Sequence, residues 1–119
     1  MSWFSSKKSE LSWNHINSIE DLNVAISNSN EQAVLLFKHS TRCSISTMAK
    51  SRLEDKWTND TKIQPYYIDL IAYGDVSNEI AERFNVIHQS PQAIIILNES
   101  CVGNYSHNEI SLESILKPI

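Results

Sequence analysis

The run AVLLFK, from Ala33 to Lys38, constrains this chain more than any other segment. Its apolar residues are consecutive, not alternating. A strand with one wet face alternates polar and apolar side chains, whereas a strand covered on both faces reads as an unbroken apolar run. A second such run, AIIIL from Ala93 to Leu97, stands near the other end of the chain. Two strands of this kind need helices above and below them, so the rest of the chain must supply those helices.

The spacing of the remaining apolar residues supplies them. Ser18, with Asp21 three residues on, marks a helix start, and Ile19, Leu22 and Ile26 fall on one face. The polar run Ser27 to Asn30 ends that helix. Ile45, Met48, Ala49, Leu53 and Trp57 predict a second helix with one buried stripe. Ile80 and Phe84 mark a third, capped by Asp75 or Ser77 after a break at Gly74 and Asp75. Ser111 caps a last helix, Leu112 to Leu116, which Pro118 stops. Three further strands are expected. Trp13 to Ile16 is a short one, and Ile63 to Ile71 is a central one with Pro65 near its start. Cys101 to Ser106 pairs back on the AIIIL run through a turn at Asn98, Glu99 and Ser100. The order β-α-β-α-β-α-β-β-α predicts one α/β domain over residues 11–119, a central mixed sheet flanked by helices on both faces. That is the thioredoxin-like arrangement. Residues 1–10, rich in Ser and Lys, read as a loose start.

Composition narrows the function classes. The chain has 119 residues, with 10 basic and 14 acidic ones and a net charge of -4. No concentrated basic face is visible, so nucleic acid is not an expected partner. The longest apolar run is far shorter than the ~20 residues that span a bilayer, so no membrane partner is expected either. The start MSWFSSKKSE has no apolar h-region, which leads to the expectation of a cytoplasmic protein. In that setting Cys43 and Cys101 are free thiols and not a structural disulfide. His15, His39, His88 and His107 lack the paired spacing of a zinc site, and no metal is expected.

Cys43 lies in FKHSTRCSISTMA, where the AVLLFK strand gives way to the second helix. The first N–H groups of a helix have no internal partner, carry partial positive charge and favour an anion. A thiolate is such an anion, and it is the nucleophilic form of cysteine. Arg42 and Lys38 add to the positive field, as does His39 when protonated. Polar neighbours set Cys43 apart from a cysteine that merely packs. Ser46 stands three residues on, where a two-cysteine site would have its second thiol. It cannot form a disulfide, and its hydroxyl could donate to the thiolate. Pro91 in HQSPQ opens the AIIIL strand, and an X-Pro bond can be cis at modest cost. Cys101 follows the far end of that strand, ~15–20 Å from Cys43 by strand rise, beyond disulfide reach. His107 reads as a helix-entry residue, with contact to the negative groups of a small thiol as the alternative.

Three stretches carry a family resemblance. KHSTRCSIS (Lys38 to Ser46), HQSPQ (His88 to Gln92) and SHNEIS (Ser106 to Ser111) resemble the signatures of the monothiol bacilliredoxins over roughly residues 11–117. The family usually has proline after the reactive cysteine, where this chain has Ser44. Dithiol thioredoxins keep a carboxylate six residues before that cysteine, where this chain has Phe37. The resemblance implies a thiol-disulfide oxidoreductase of the bacillithiol system, of the general-stress-protein type. It implies that Cys43 is the redox thiol and removes bacillithiol from capped client proteins. Arg42, Ser44, Ile45 and Ser46 would support the thiolate. Lys38, His39, Thr41, Ser90 and Pro91 would contact substrate. Bacillithiol would be a co-substrate with no bound cofactor, and a low-molecular-weight thiol would complete the cycle. Two alternatives stand beside this. A monothiol glutaredoxin-like protein would use another small thiol or carry an iron–sulfur cluster, although Ser44 and Ile45 replace that family's usual Gly and Phe. A non-catalytic binding module would use the fold alone.

Overall fold

A computed structural model describes residues 9–119, so most of the expected loose start lies outside the described residues. The elements follow in the expected order: β1 (Asn14–His15), α1 (Ile19–Asn28), β2 (Val34–His39), α2 (Ser44–Lys56), β3 (Gln64–Asp69), α3 (Gly74–Phe84), β4 (Gln92–Leu97), β5 (Ser100–Ser106) and α4 (Leu112–Leu116). A short 3-10 turn at His107–Glu109, not expected from the sequence, precedes α4. The sheet order is β1-β3-β2-β4-β5. β1, β3 and β2 run parallel, while β4 lies antiparallel to β2 and β5 antiparallel to β4.

β2 occupies the middle of the sheet, and all six of its residues are buried. Alternate side chains feed two separate cores. Leu35 and Phe37 join Ala49 and Leu53 of α2 and Ile115 of α4 on one face. Val34 and Leu36 join Leu22 and Ile26 of α1 and Ile80 of α3 on the other. Burying the Leu and Ile side chains of these layers contributes roughly 1.5–3 kcal/mol each before the entropy of ordering is counted.

Ser18 caps α1 as expected, accepting the Asp21 N–H at 3.1 Å. The β4–β5 turn places Asn98 and Glu99 at positive φ (51° and 64°), the two-residue hairpin geometry that matches sheet twist. Two expectations need correction. The cap of α3 is Tyr73 and not Asp75 or Ser77, and the helix already begins at Gly74. Asp69 Oδ1 accepts the N–H groups of Ile71 and Ala72 and turns the chain earlier than the apolar spacing suggests. In α2 the buried stripe is Ser46, Ala49 and Leu53, continued by the capping residue Trp57. Ile45 and Met48 are 45% and 61% exposed. Hydrogen bonds that draw Ser46 inward decide that rotation.

Candidate active site

The site forms where β2 ends and α2 begins. Ser40, Thr41 and Arg42 make the turn, closed by the Cys43 N–H donating to Ser40 O at 3.2 Å. Cys43 is the N-cap of α2, half-buried, with extended backbone (φ −111°, ψ 120°). Its carbonyl accepts the Thr47 N–H at 3.1 Å and the Thr47 hydroxyl at 3.2 Å. Its side chain caps nothing, and the first turn of α2 holds no acidic residue. The positive end of the helix is therefore uncompensated beside the sulfur. Ser44 and Ile45 are exposed in the first turn of α2. Thr41 and Arg42 are exposed on the turn.

Register brings the second half of the site alongside. Lys38 pairs with Gln92, so Pro91 lies across from His39 at the same end of the sheet. The Ser90–Pro91 peptide is cis. Pro91 O accepts the His107 N–H at 3.2 Å. His107 is held in turn from α2, because Arg52 Nη2 donates to the carbonyls of His107 (3.2 Å) and Ile110 (3.0 Å). Arg52 thus ties the turn after β5 to the cysteine helix. Sequence reasoning missed it, since an arginine in an amphipathic helix carries no mark of its partner. Ser90 Oγ is buried and has no hydrogen-bond partner among the described residues.

Ser46 is fully buried and its oxygen is engaged. Ser46 Oγ lies 2.7 Å from His39 Nδ1 and accepts the Ser40 N–H at 3.1 Å. The His39 ring stacks on Phe37 (centroids 5.9 Å apart) and tilts against Tyr67 (5.4 Å). Trp13 stacks on the other side of this cluster, 5.4 Å from Phe37. Burial lowers the His39 pKa, Lys50 adds to that, and Asp69, Ser46 and Glu54 oppose it. His39 was expected among substrate contacts. It is 5% exposed and faces Ser46 from beneath α2, so its place is support.

Lys38 is a clearer correction. It has no exposed surface, and its side chain leaves β2 on the face opposite Phe37 and His39. Its Nζ lies 3.3 Å from His88 Nδ1, which is also 3.2 Å from Ser77 Oγ. It therefore cannot contact a substrate at Cys43. Burial pulls its pKa down to about 8.

A groove of 510 Å³ opens at the same end of the sheet, between α2 and the β1–β3 edge. Trp13, Tyr67 and Tyr73 wall it, with His15, Lys50 and Asp69 as polar groups. None of these was a candidate from sequence, because they come from four separate segments. Burial alone would raise the Glu54 carboxyl below the groove. Hydrogen bonds from Lys50 Nζ (2.7 Å) and Trp13 Nε1 (2.8 Å) bring it below its ordinary range instead. Cys101 pairs with Ile96, whose other neighbour is Val34 at the start of β2, the opposite end of the sheet from Cys43. Burial pushes its thiol pKa up.

A single free cysteine at the start of α2, with a cis proline at the same end of the sheet, stands in a thioredoxin-type fold. Residues 14–115 match the family model for monothiol bacilliredoxin BrxC, and the chain belongs to that family. Among solved structures it is similar to one described as having a thioredoxin fold, at 30% identity and a TM-score of 0.77 over 87% of this chain and 90% of that one. The fold is shared with thioredoxin from Fasciola hepatica (14% identity, TM-score 0.74, 89% of this chain and 99% of that one). It is shared too with mitochondrial thioredoxin 3 from Saccharomyces cerevisiae (14%, 0.72, 90% and 95%). No helix among the described residues is long and apolar enough to cross a membrane.

Proposed function

We propose that the protein removes bacillithiol from mixed disulfides on client proteins by thiol-disulfide exchange at Cys43. The observation that carries this is a half-buried cysteine at the uncompensated start of α2, with Ser46 in place of a second thiol, in a chain of the monothiol bacilliredoxin family. The Cys43 thiolate attacks the bacillithiol sulfur of the client's mixed disulfide. The client sulfur leaves as a thiolate and takes a proton from water, while a Cys43–bacillithiol disulfide forms. A second small thiol then attacks that disulfide as its thiolate, leaves as the small-molecule disulfide, and returns Cys43 to the thiolate. The cycle uses no resident cofactor, and it suits a reducing, cytoplasmic compartment. Thr41, Arg42 and the Ser90 backbone beside Pro91 are the surface groups placed to meet the substrate. Arg42 and the first-turn N–H groups of Ser44, Ile45 and Ser46 favour the attacking thiolate.

The test is direct. Reduced protein is mixed with a bacillithiol-capped client and the masses are followed. Wild type and Cys101→Ser each gain one bacillithiol as the client loses it, and Cys43→Ser gains none. Release of bacillithiol by Cys43→Ser at the wild-type rate would overturn the proposal.

A further inference from the structure

We propose that the groove between α2 and the β1–β3 edge takes a lysine or arginine side chain of a partner polypeptide, its stem against the aromatic walls and its cationic head toward Asp69. The groove opens at the Cys43 end of the sheet, and Lys50 in its wall stands two turns along α2 from Cys43, about 10 Å of helix rise. The partner that reaches it is therefore a client docked for exchange. That placement rests on the proposed function, and the pocket itself does not.

The walls come first. Trp13 and Tyr67 meet edge to face, with ring centroids 6.0 Å apart and planes at 65°, so they form a corner and not a flat stack. Tyr73 lines the same groove, and all three rings are half-buried. The corner is braced from outside. The Trp13 indole N–H donates to Glu54 at 2.8 Å, and its ring stacks on Phe37. The Tyr67 ring has His15 5.1 Å away and His39 5.4 Å away. A corner held in advance loses little freedom when a ligand enters. Aromatic faces pack methylene groups, and their negative potential attracts a cation. At 510 Å³ the groove has ample room for one long side chain.

The charges then select the sign of the ligand. Lys50 is occupied, because its Nζ lies 2.7 Å from Glu54 Oε2 and the pair is close to neutral. Asp69 lines the groove and makes no salt bridge among the described residues. Its Oδ1 accepts the Ile71 and Ala72 N–H groups, which fixes the carboxylate and leaves Oδ2 for a ligand's donor. The carboxylate's field reaches the aromatic wall, since burial and then the Asp69 charge push the Tyr67 phenol pKa up. The net charge of -4 also favours the approach of a cation. A small inorganic cation makes no use of the rings, and an apolar side chain makes no use of Asp69. Lysine and arginine use both, with an apolar stem behind a charged head.

The experiment is an NMR titration of the reduced protein that follows the Trp13 indole N–H resonance, assigned by its loss in Trp13→Phe. N-acetyl-lysine amide and N-acetyl-arginine amide are each expected to shift it saturably. N-acetyl-norleucine amide keeps an apolar stem without the charge and should bind at least about fivefold more weakly. Methylammonium, a head without a stem, should be weaker by a similar margin. Asp69→Asn keeps an oxygen for the Ile71 and Ala72 N–H groups and removes the charge, and it should weaken both cationic amides by about fivefold. Tyr73→Leu should weaken them by about threefold. Norleucine amide that binds as tightly as lysine amide would overturn the inference, because apolar contact alone would then account for the site. So would the absence of a saturable shift with either cationic amide, or an Asp69→Asn protein that binds them as wild type does. The norleucine comparison uses wild type, so it decides the matter even where a variant fails to fold. No disulfide takes part in the titration, so its failure is distinct from failure of the mass assay that tests exchange at Cys43.

Discussion

Ser46 differs from cysteine by one atom, and it stands one helical turn beyond Cys43 with its oxygen held by Ser40 and His39. Ser46→Cys places a second sulfur beside the Cys43–bacillithiol disulfide. The new thiol attacks the Cys43 sulfur, bacillithiol leaves, and an intramolecular disulfide closes between Cys43 and the substituted position. The mixed disulfide, the main product on wild type, is expected to fall to a trace, with the variant 2 mass units lighter than its reduced form, about the mass of two hydrogens. Persistence of the adduct at the wild-type level would mean the two positions cannot bond, and Ser46 would have some other role. Cys43, Ser46 and Pro91 are all legible in the sequence, because a polar break between buried strand and helix is a visible place for chemistry. Lys38 and His39 are not. Adjacent strand residues point to opposite faces, but an unbroken apolar run has no alternation to say which face is which. The cue is missing at the two residues where it matters, so the sequence alone groups Lys38 with His39 as a substrate contact.

At the scale of elements, α2 decides how the cysteine is presented. Two stripes fit its sequence: Ile45, Met48, Ala49 and Leu53, or Ser46, Ala49 and Leu53. They share their last two members, and their centres lie about 60° apart around the helix. Hydrophobicity favours the first stripe. The second is realised, because Ser46 binds His39 and Ser40 beneath the helix. A polar anchor of this kind is invisible to apolar periodicity, and the same holds for Asp69 starting α3. The start of α2 also has a weakness, since Ser44 stands where the family usually has proline. Proline suits the first helical position, where its missing N–H has no intrahelical role. It requires an extended residue before it, and Cys43 already has φ −111° and ψ 120°. Ser44→Pro is therefore expected to stabilise the fold by about 0.5–1 kcal/mol through the unfolded chain, raising Tm by about 2–5 °C. A calorimetric scan that shows a lower Tm would indicate that the first turn strains around the ring.

For the whole molecule, the two unbroken apolar runs are enough to imply a sheet between two helical layers, and the element order follows from the spacing between them. What the sequence does not carry is an account of a cation inside that core. Lys38 lies one residue from the end of a fully buried strand, and its partner among the described residues is Nδ1 of His88, 3.3 Å away. Its pKa falls from 10.5 to about 8 because burial penalises the charged form. The sign of the linkage follows. Between those two values the unfolded chain holds the proton and the folded chain does not, so stability rises with pH across that window. Below the folded value Lys38 is charged in both states, and the fold bears the whole penalty, on the order of 3 kcal/mol. Lys38→Met removes the charge and keeps the length of the stem. Urea unfolding at pH 7 should find the variant more stable than wild type. At pH 10 the difference should shrink by most of that amount, because wild-type Lys38 is then neutral when folded. Titrating groups remote from Lys38 are common to both proteins and cancel in the comparison, while His88, whose pKa is lowered by burial and by Lys38, does not. An equal difference at both pH values would mean that Lys38 keeps its proton inside the fold, drawing a compensating charge from a group other than His88.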